Sequence, residues 1–267
     1  MNGSVSSMEA RNLSYQINSK TIISNLNIKI NKGELVGIIG PNGAGKSTFL
    51  KLLTNILKPT SGYVFLNDRN ISEFSPKDLN KKLAYLPQNV SFNFPFKVSE
   101  IVLMGRYPYL GRLQNESSID NKLAADSLRF VDMQDFKERN ILTLSGGEQQ
   151  RVSLARVITQ QTDFLFLDEP ISNLDIHHQL SIMNLLKSLS GEGKGVYTVL
   201  HDIKLANKFC DKLIVLDQGE IITEGNPNII LDESLISKVF NVKTQISYDN
   251  SGKKIINFLE PTNGYGH

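Results

Sequence analysis

Gly40-Pro41-Asn42-Gly43-Ala44-Gly45-Lys46-Ser47-Thr48 is the stretch whose reading decides the fold. Gly40, Gly45, Lys46 and Ser47 fill the fixed places of the phosphate-binding pattern G-x-x-x-x-G-K-[ST]. Before it, Leu35-Val36-Gly37-Ile38-Ile39 is a short apolar run of the kind buried in a parallel sheet. After it, Phe49, Leu50, Leu52 and Leu53 have the spacing of an apolar helical face. The loop thus joins a strand to a helix N-terminus, where bare N–H groups and the helix dipole favour a phosphate. Glycines let the backbone close around it in torsions that side chains resist. Lys46 would reach the β- and γ-phosphates, and the Ser47 hydroxyl would ligate Mg2+. A glycine-rich turn before an exposed lysine would not need every fixed place filled in this setting. The loop specifies a nucleotide but not the use made of its energy.

The bulk numbers narrow that use. A chain of 267 residues buries a real core in one large domain or two lobes. Its 40% hydrophobic and 21% charged content is ordinary for a globular protein, and a net charge of +2 gives no global pull toward nucleic acid. The one cysteine, Cys210, has no intrachain partner, which suits a reducing compartment. The first residues lack a charged-then-apolar leader, which argues against secretion, and no run approaches the ~20 apolar residues that span a bilayer. A role at a membrane therefore requires a partner chain.

Outward from the loop, Met8–Tyr15 and Thr21–Ile30 read as strands around an Asn18-Ser19-Lys20 turn, the second with one wet face. Tyr63–Leu66 and Leu83–Leu86 are further strands, the latter delivering Gln88 past Pro87. From about residue 93 to 140 the pattern becomes helical, and then strand–helix alternation resumes. Phe164–Leu167, Val196–Leu200 and Leu213–Leu216 are strands; His177–Leu189, Ile203–Phe209 and Asp232–Phe240 are helices. A weak strand pair flanks Asp249-Asn250-Ser251-Gly252.

Two further stretches carry chemistry. Asp168 and Glu169 end a buried strand, so Asp168 would hold Mg2+ beside the loop and Glu169 would polarise the attacking water. In Leu144-Ser145-Gly146-Gly147-Glu148-Gln149-Gln150-Arg151, Ser145 and Glu148 form a helix capping box. Capping does not ask for two glycines in the first turn, where each weakens a helix by roughly 1 kcal/mol. Bare N–H groups and a serine hydroxyl at a helix start are what a second γ-phosphate contact requires.

The two motifs, in this order and spacing, resemble those of ATP-binding cassette (ABC) ATPases over essentially the whole chain. The resemblance implies an α/β P-loop NTPase (RecA-like) core, an antiparallel β subdomain and an inserted α-helical subdomain. It implies one domain over 8–262, with core and β subdomain at about 8–92 and 162–262, helices at about 93–161, and a loose tail over 1–7. ATP and Mg2+ are the implied cofactors. The implied ATP contacts are Tyr15 under the adenine, Gly40, Pro41, Asn42, Gly43, Ala44, Gly45, Lys46, Ser47 and Thr48 on the phosphates, and Gln88 and His201. Ser145, Gly146, Gly147 and Asp175 complete that set. Glu169, His201 and Lys46 are the implied catalytic groups, and Ser47, Gln88 and Asp168 the Mg2+ ligands.

In this family two cassettes pack with two-fold symmetry, so each ATP lies between one chain's loop and the other's Ser145–Gly147 segment. The segment Phe94-Pro95-Phe96-Lys97 to Met104-Gly105-Arg106-Tyr107-Pro108 is similar to bacterial importer ATPases for haemin, iron-siderophores and cobalamin. Phe94-Pro95-Phe96 and Glu148-Gln149-Gln150 look most like the haemin type, which often has histidine where Tyr109 stands. The expected partners are a second copy and a polytopic permease dimer, met near Gln88 and the helical subdomain. A substrate-binding protein acts indirectly, and no nucleic acid is involved. The expected location is the cytoplasmic face of the bacterial inner membrane. A siderophore or cobalamin importer ATPase and a soluble cassette ATPase of iron–sulfur assembly are the alternatives.

Overall fold

In the computed structural model, which describes residues 7–111, 114–250, 252 and 254–262, the chain opens with a hairpin of β1 (Met8–Ile17) and β2 (Lys20–Ile30). Its turn residues Asn18 and Ser19 have φ of 46° and 67°, the left-handed pair that suits a two-residue hairpin. β3 (Leu35–Ile39) runs through the glycine-rich loop into α1 (Lys46–Leu53). β4 (Ser61–Leu66) and β5 (Arg69–Asn70) extend the hairpin into a sheet of order β2-β1-β4-β5. After the one-turn α2 (Pro76–Leu79) and β6 (Leu83–Leu86), the chain leaves the strands for α3 (Val98–Leu103), α4 (Ser118–Phe130) and α5 (Gly146–Thr159). It returns through β7 (Phe164–Asp168), α6 (Ile176–Gly191), β8 (Gly195–Val199) and α7 (Ile203–Phe209). β9 (Lys212–Asp217), β10 (Glu220–Gly225), α8 (Pro227–Ile230) and α9 (Glu233–Phe240) follow, and a hairpin of β11 (Val242–Tyr248) and β12 (Lys254–Pro261) comes last. Of the tail expected over 1–7, all but Ser7 lies outside the described residues.

The central sheet has the order β10-β9-β3-β8-β7-β6, and every neighbouring pair except β10–β9 is parallel. β3, β7 and β8 are buried at every position, which is why their sequences are unbroken apolar runs. Parity sorts their side chains between two cores. Leu35, Ile39, Leu165, Leu167 and Val196 face the layer of α5, α6 and α7, whereas Val36, Ile38, Phe166, Tyr197 and Val199 face α1 and the antiparallel sheet. Because these strands are parallel, the segments that leave β3, β6, β7 and β8 emerge at one edge, so residues 40–48, Gln88, Asp168–Glu169 and His201 share it.

The helical segment is held by the core it shares with the central sheet and by one buried ion pair. α3, α4 and α5 pack on one another. Arg106 Nε donates to Asp120 Oδ1 at 2.7 Å, and Arg106 Nη1 donates to the Thr159 carbonyl at 3.1 Å, tying three elements together. The guanidinium lies 3.9 Å from the Tyr109 ring centre. Phe94, Phe96 and Tyr107, which core packing alone would explain, are 66%, 41% and 54% exposed and lie on the surface.

Candidate active site

The loop needs its glycines for two different reasons. A Cβ on Gly40 would lie 2.0 Å from the Leu216 carbonyl oxygen, so the main chains of the loop and β9 approach too closely for any side chain. Gly43 faces open space but sits at φ 81°, and Gly45 sits at φ 96°, both in the left-handed region. Gly45 is the N-cap of α1 and offers no side-chain cap, and the first turn carries no acid, so its N–H groups stay free for an anion. The ring of Tyr15 packs against the core behind the loop, opposite Ile23, whose Cδ1 is 2.9 Å from the place of a Gly45 Cβ. Pro41 is half-buried, Asn42 and Gly43 are exposed, Ala44 is buried and Thr48 is half-buried.

The Lys46 ammonium arches back over the loop, donating to the carbonyls of Gly40 at 2.7 Å and Pro41 at 2.9 Å. Burial holds its pKa below the ordinary lysine value, while the charges of Glu169 and Asp168 pull it upward. The Ser47 hydroxyl donates to Asp168 Oδ1 at 2.9 Å, and the Tyr85 hydroxyl donates to Asp168 Oδ2 at 3.2 Å. Burial raises the Asp168 pKa, the two donors lower it, and the charge of Glu169 raises it again. A serine hydroxyl beside a buried carboxylate is an oxygen-only donor set, which fits a hard cation such as Mg2+. Gln88, half-buried, follows β6 at the same edge.

Glu169 stands at φ 53°, directly before Pro170, and is buried. Such a torsion is uncommon outside glycine and marks a residue held in place by its surroundings. Its carbonyl oxygen accepts from Gln150 Nε2 at 3.4 Å and from Ser172 Oγ at 3.2 Å. His201 Nε2 lies 2.6 Å from Glu169 Oε1, so the half-exposed imidazole and the buried carboxylate form one unit. A cavity of about 200 Å³ opens beside them.

Ser145 caps α5 with the reciprocal box expected of it: its N–H donates to Glu148 Oε2 at 2.7 Å and its hydroxyl accepts from the Glu148 N–H at 3.4 Å. A Cβ on Gly147 would sit 3.1 Å from the Asn173 carbonyl, whereas one on Gly146 would meet nothing within 4 Å. Nothing inside this chain therefore requires a glycine at 146. Among the described residues no hydrogen bond or ion pair joins Ser145–Gly147 to residues 40–48. Asp175 caps α6 by accepting from the His178 N–H, and the exposed Asp175 carboxylate also meets His178 Nδ1 at 2.9 Å. Among the sequence candidates, then, Lys46, Ser47, Asp168, Glu169 and His201 come together at one edge, and Ser145, Gly146 and Asp175 lie exposed elsewhere on the surface. The site also recruits Tyr85, which no motif singled out, and Gln150, which the Leu144–Arg151 motif contains but to which no site role was given. Tyr85 occupies an ordinary strand position, and only the pairing of β6 with β7 reveals its reach.

The family model described as ABC transporter matches residues 23–172. The chain belongs to the ABC transporter family. This cassette is an ATPase, and it resembles the hemin import ATP-binding protein HmuV of Rhodopseudomonas palustris (strain HaA2). The two are 38% identical over 93% of this chain and 96% of that one. The petrobactin import ATP-binding protein YclP of Bacillus subtilis (strain 168) is 36% identical over 90% and 94% of the two chains. Among solved structures, an inward-facing ABC transporter of metal-chelate type superposes with a TM-score of 0.80. It is 25% identical and covers 96% of this chain and 98% of that one. A dimeric bacterial ABC transporter cassette superposes with a TM-score of 0.74 at 30% identity, over 82% and 98% of the chains. No helix among the described residues is long and apolar enough to cross a membrane.

Proposed function

We propose that the chain is the ATP-hydrolysing subunit of a bacterial haemin importer. It would work as a two-fold dimer on the cytoplasmic face of the membrane, coupled to a permease pair. The observation that carries this reading is the match, along nearly the whole length of both chains, to import ATP-binding proteins, combined with the Lys46, Asp168 and Glu169–His201 constellation. One domain spans 8–262 in this reading, with the helices of about 93–161 as its inserted subdomain.

Lys46 leaves the loop carbonyls to meet the β- and γ-phosphates, while the free N–H groups of α1 hold the remaining oxygens. Mg2+, held by Ser47, Asp168 and Gln88, supplies charge neutralisation for the phosphates when bound. Glu169 accepts the proton of the attacking water, and His201, fixed against it, faces the γ-phosphate. Tyr15 stacks on the adenine. The closing contacts come from Ser145, Gly146 and Gly147 of a second copy, with Asp175 at the crossing.

The exposed Tyr107, in the wall of a groove of about 480 Å³ that Met104, Pro108 and Arg156 also line, and the exposed rings of Phe94 and Phe96 support a permease contact on the helical subdomain. ATP binding then closes the dimer, and hydrolysis reopens it. The substrate is tested by reconstituting the cassette with its permease and binding protein. Haemin is expected to stimulate ATP hydrolysis, and ferric siderophore or cobalamin is not. Stimulation by a siderophore alone replaces haemin with the second reading, which the petrobactin relative supports. A cassette that co-purifies with no membrane protein points instead to a soluble ATPase.

A further inference from the structure

Asp168 is gripped from two sides. Ser47, from the first turn of α1, donates to Oδ1 at 2.9 Å, and Tyr85, from β6, donates to Oδ2 at 3.2 Å. β6 and β7 run parallel with Tyr85 opposite Phe166, so the phenol reaches diagonally along the sheet to the carboxylate two residues further on. An ordinary phenol keeps its proton well above neutral pH, so Tyr85 can donate to the carboxylate. Ser47 is itself a candidate metal ligand, which leaves Tyr85 as the donor free to hold the carboxylate in one plane. The same tyrosine lines the groove bounded by Met104, Gly105, Tyr107 and Arg156.

We propose that Tyr85 is a positioning residue for Asp168. Its hydroxyl orients the carboxylate that holds the metal, and its ring forms part of the groove wall, so whatever fills the groove acts on the metal site through one side chain. The proposal rests on the reading of Asp168 as a metal-holding group, and it adds a residue that no phosphate-loop or carboxylate motif includes. A tyrosine serving only to fill the wall would tolerate loss of its hydroxyl without any change at the metal. Losing one hydrogen bond to a charged group does register there.

The test measures binding of a fluorescent ATP analogue to the full-length chain as Mg2+ is titrated, in wild type, Tyr85→Phe and Asp168→Asn. Tyr85→Phe is expected to raise the half-saturating Mg2+ concentration by about 10- to 100-fold, with affinity in EDTA unchanged. Asp168→Asn is expected to abolish the Mg2+ dependence. A normal Tyr85→Phe beside a defective Asp168→Asn overturns the proposal and leaves the metal reading standing. A normal Asp168→Asn overturns the metal reading and the proposal with it. Loss of affinity in EDTA as well assigns Tyr85 a structural role and also overturns the proposal. In the assembled importer, permease binding is expected to shift the wild-type Mg2+ requirement and Tyr85→Phe to remove that shift; a shift that survives in the variant overturns the role of the groove.

Discussion

Gly40 and Gly146 are both glycines in motifs, yet the structure treats them differently. At Gly40 the Leu216 carbonyl fills the place of a Cβ, at 2.0 Å. Gly40→Ala is therefore expected to displace the loop and abolish nucleotide binding, as titration with a fluorescent ATP analogue would reveal. At Gly146 a Cβ meets open space. Gly146→Ala is expected to leave the monomer folded, and even stabilise α5 by up to about 1 kcal/mol, while lowering ATPase activity. Thermal unfolding and phosphate release, measured together, separate the two effects. A variant with normal turnover would mean that nothing packs on that bare backbone. Glu169→Gln, which keeps shape and removes the base, is expected to cut hydrolysis by about 10²- to 10⁴-fold. Most of these residues were legible in the sequence because phosphate chemistry demands fixed types at fixed spacing. The partnership of Glu169 with His201, and of Tyr85 with Asp168, was not, because it depends on the order of β6, β7 and β8 in the sheet.

Among elements, the helical segment depends on the Arg106–Asp120 pair, whose side chains are only 9% and 10% exposed. Removing one member strands the other, so Arg106→Met is expected to cost about 3 kcal/mol in denaturant unfolding. The Ser117 hydroxyl, the Arg106 guanidinium and the Ser117 N–H lower the Asp120 pKa from 3.8 to about 2. Because the folded value lies below the unfolded one, this stabilisation is complete above about pH 4 and is lost as pH falls toward 2. Unfolding titrations of wild type and Asp120→Asn should therefore converge in that window and stay separated at pH 7. The long elements were legible: β2 alternates buried Leu26, Ile28 and Ile30 with exposed Asn27 and Lys29, as its pattern predicts. The short ones were harder. β5 has two residues and exists only through pairing with β4. α2 does carry a readable start, with Ser75 as N-cap and Pro76 in its first turn, but its single turn buries just Leu79 and shows no period.

For the whole molecule, the central claim is that one chain carries two half-sites. Lys46, Ser47, Asp168 and Glu169 gather at the sheet edge, while among the described residues the exposed Ser145 and Gly146 form no hydrogen bond or ion pair with the loop. In the proposed dimer, two copies in isologous contact would complete both sites at once, with γ-phosphate bridging two electropositive helix starts. The sequence carries the motifs of such a composite site but not the distance between them, which the fold alone sets. Light scattering on the Glu169→Gln chain, run on a sizing column with ATP and Mg2+, tests the claim most directly. The account expects a species of twice the 29.8 kDa chain mass that reverts to monomer when ATP is withdrawn. A chain that remains at 29.8 kDa with saturating ATP would contradict it.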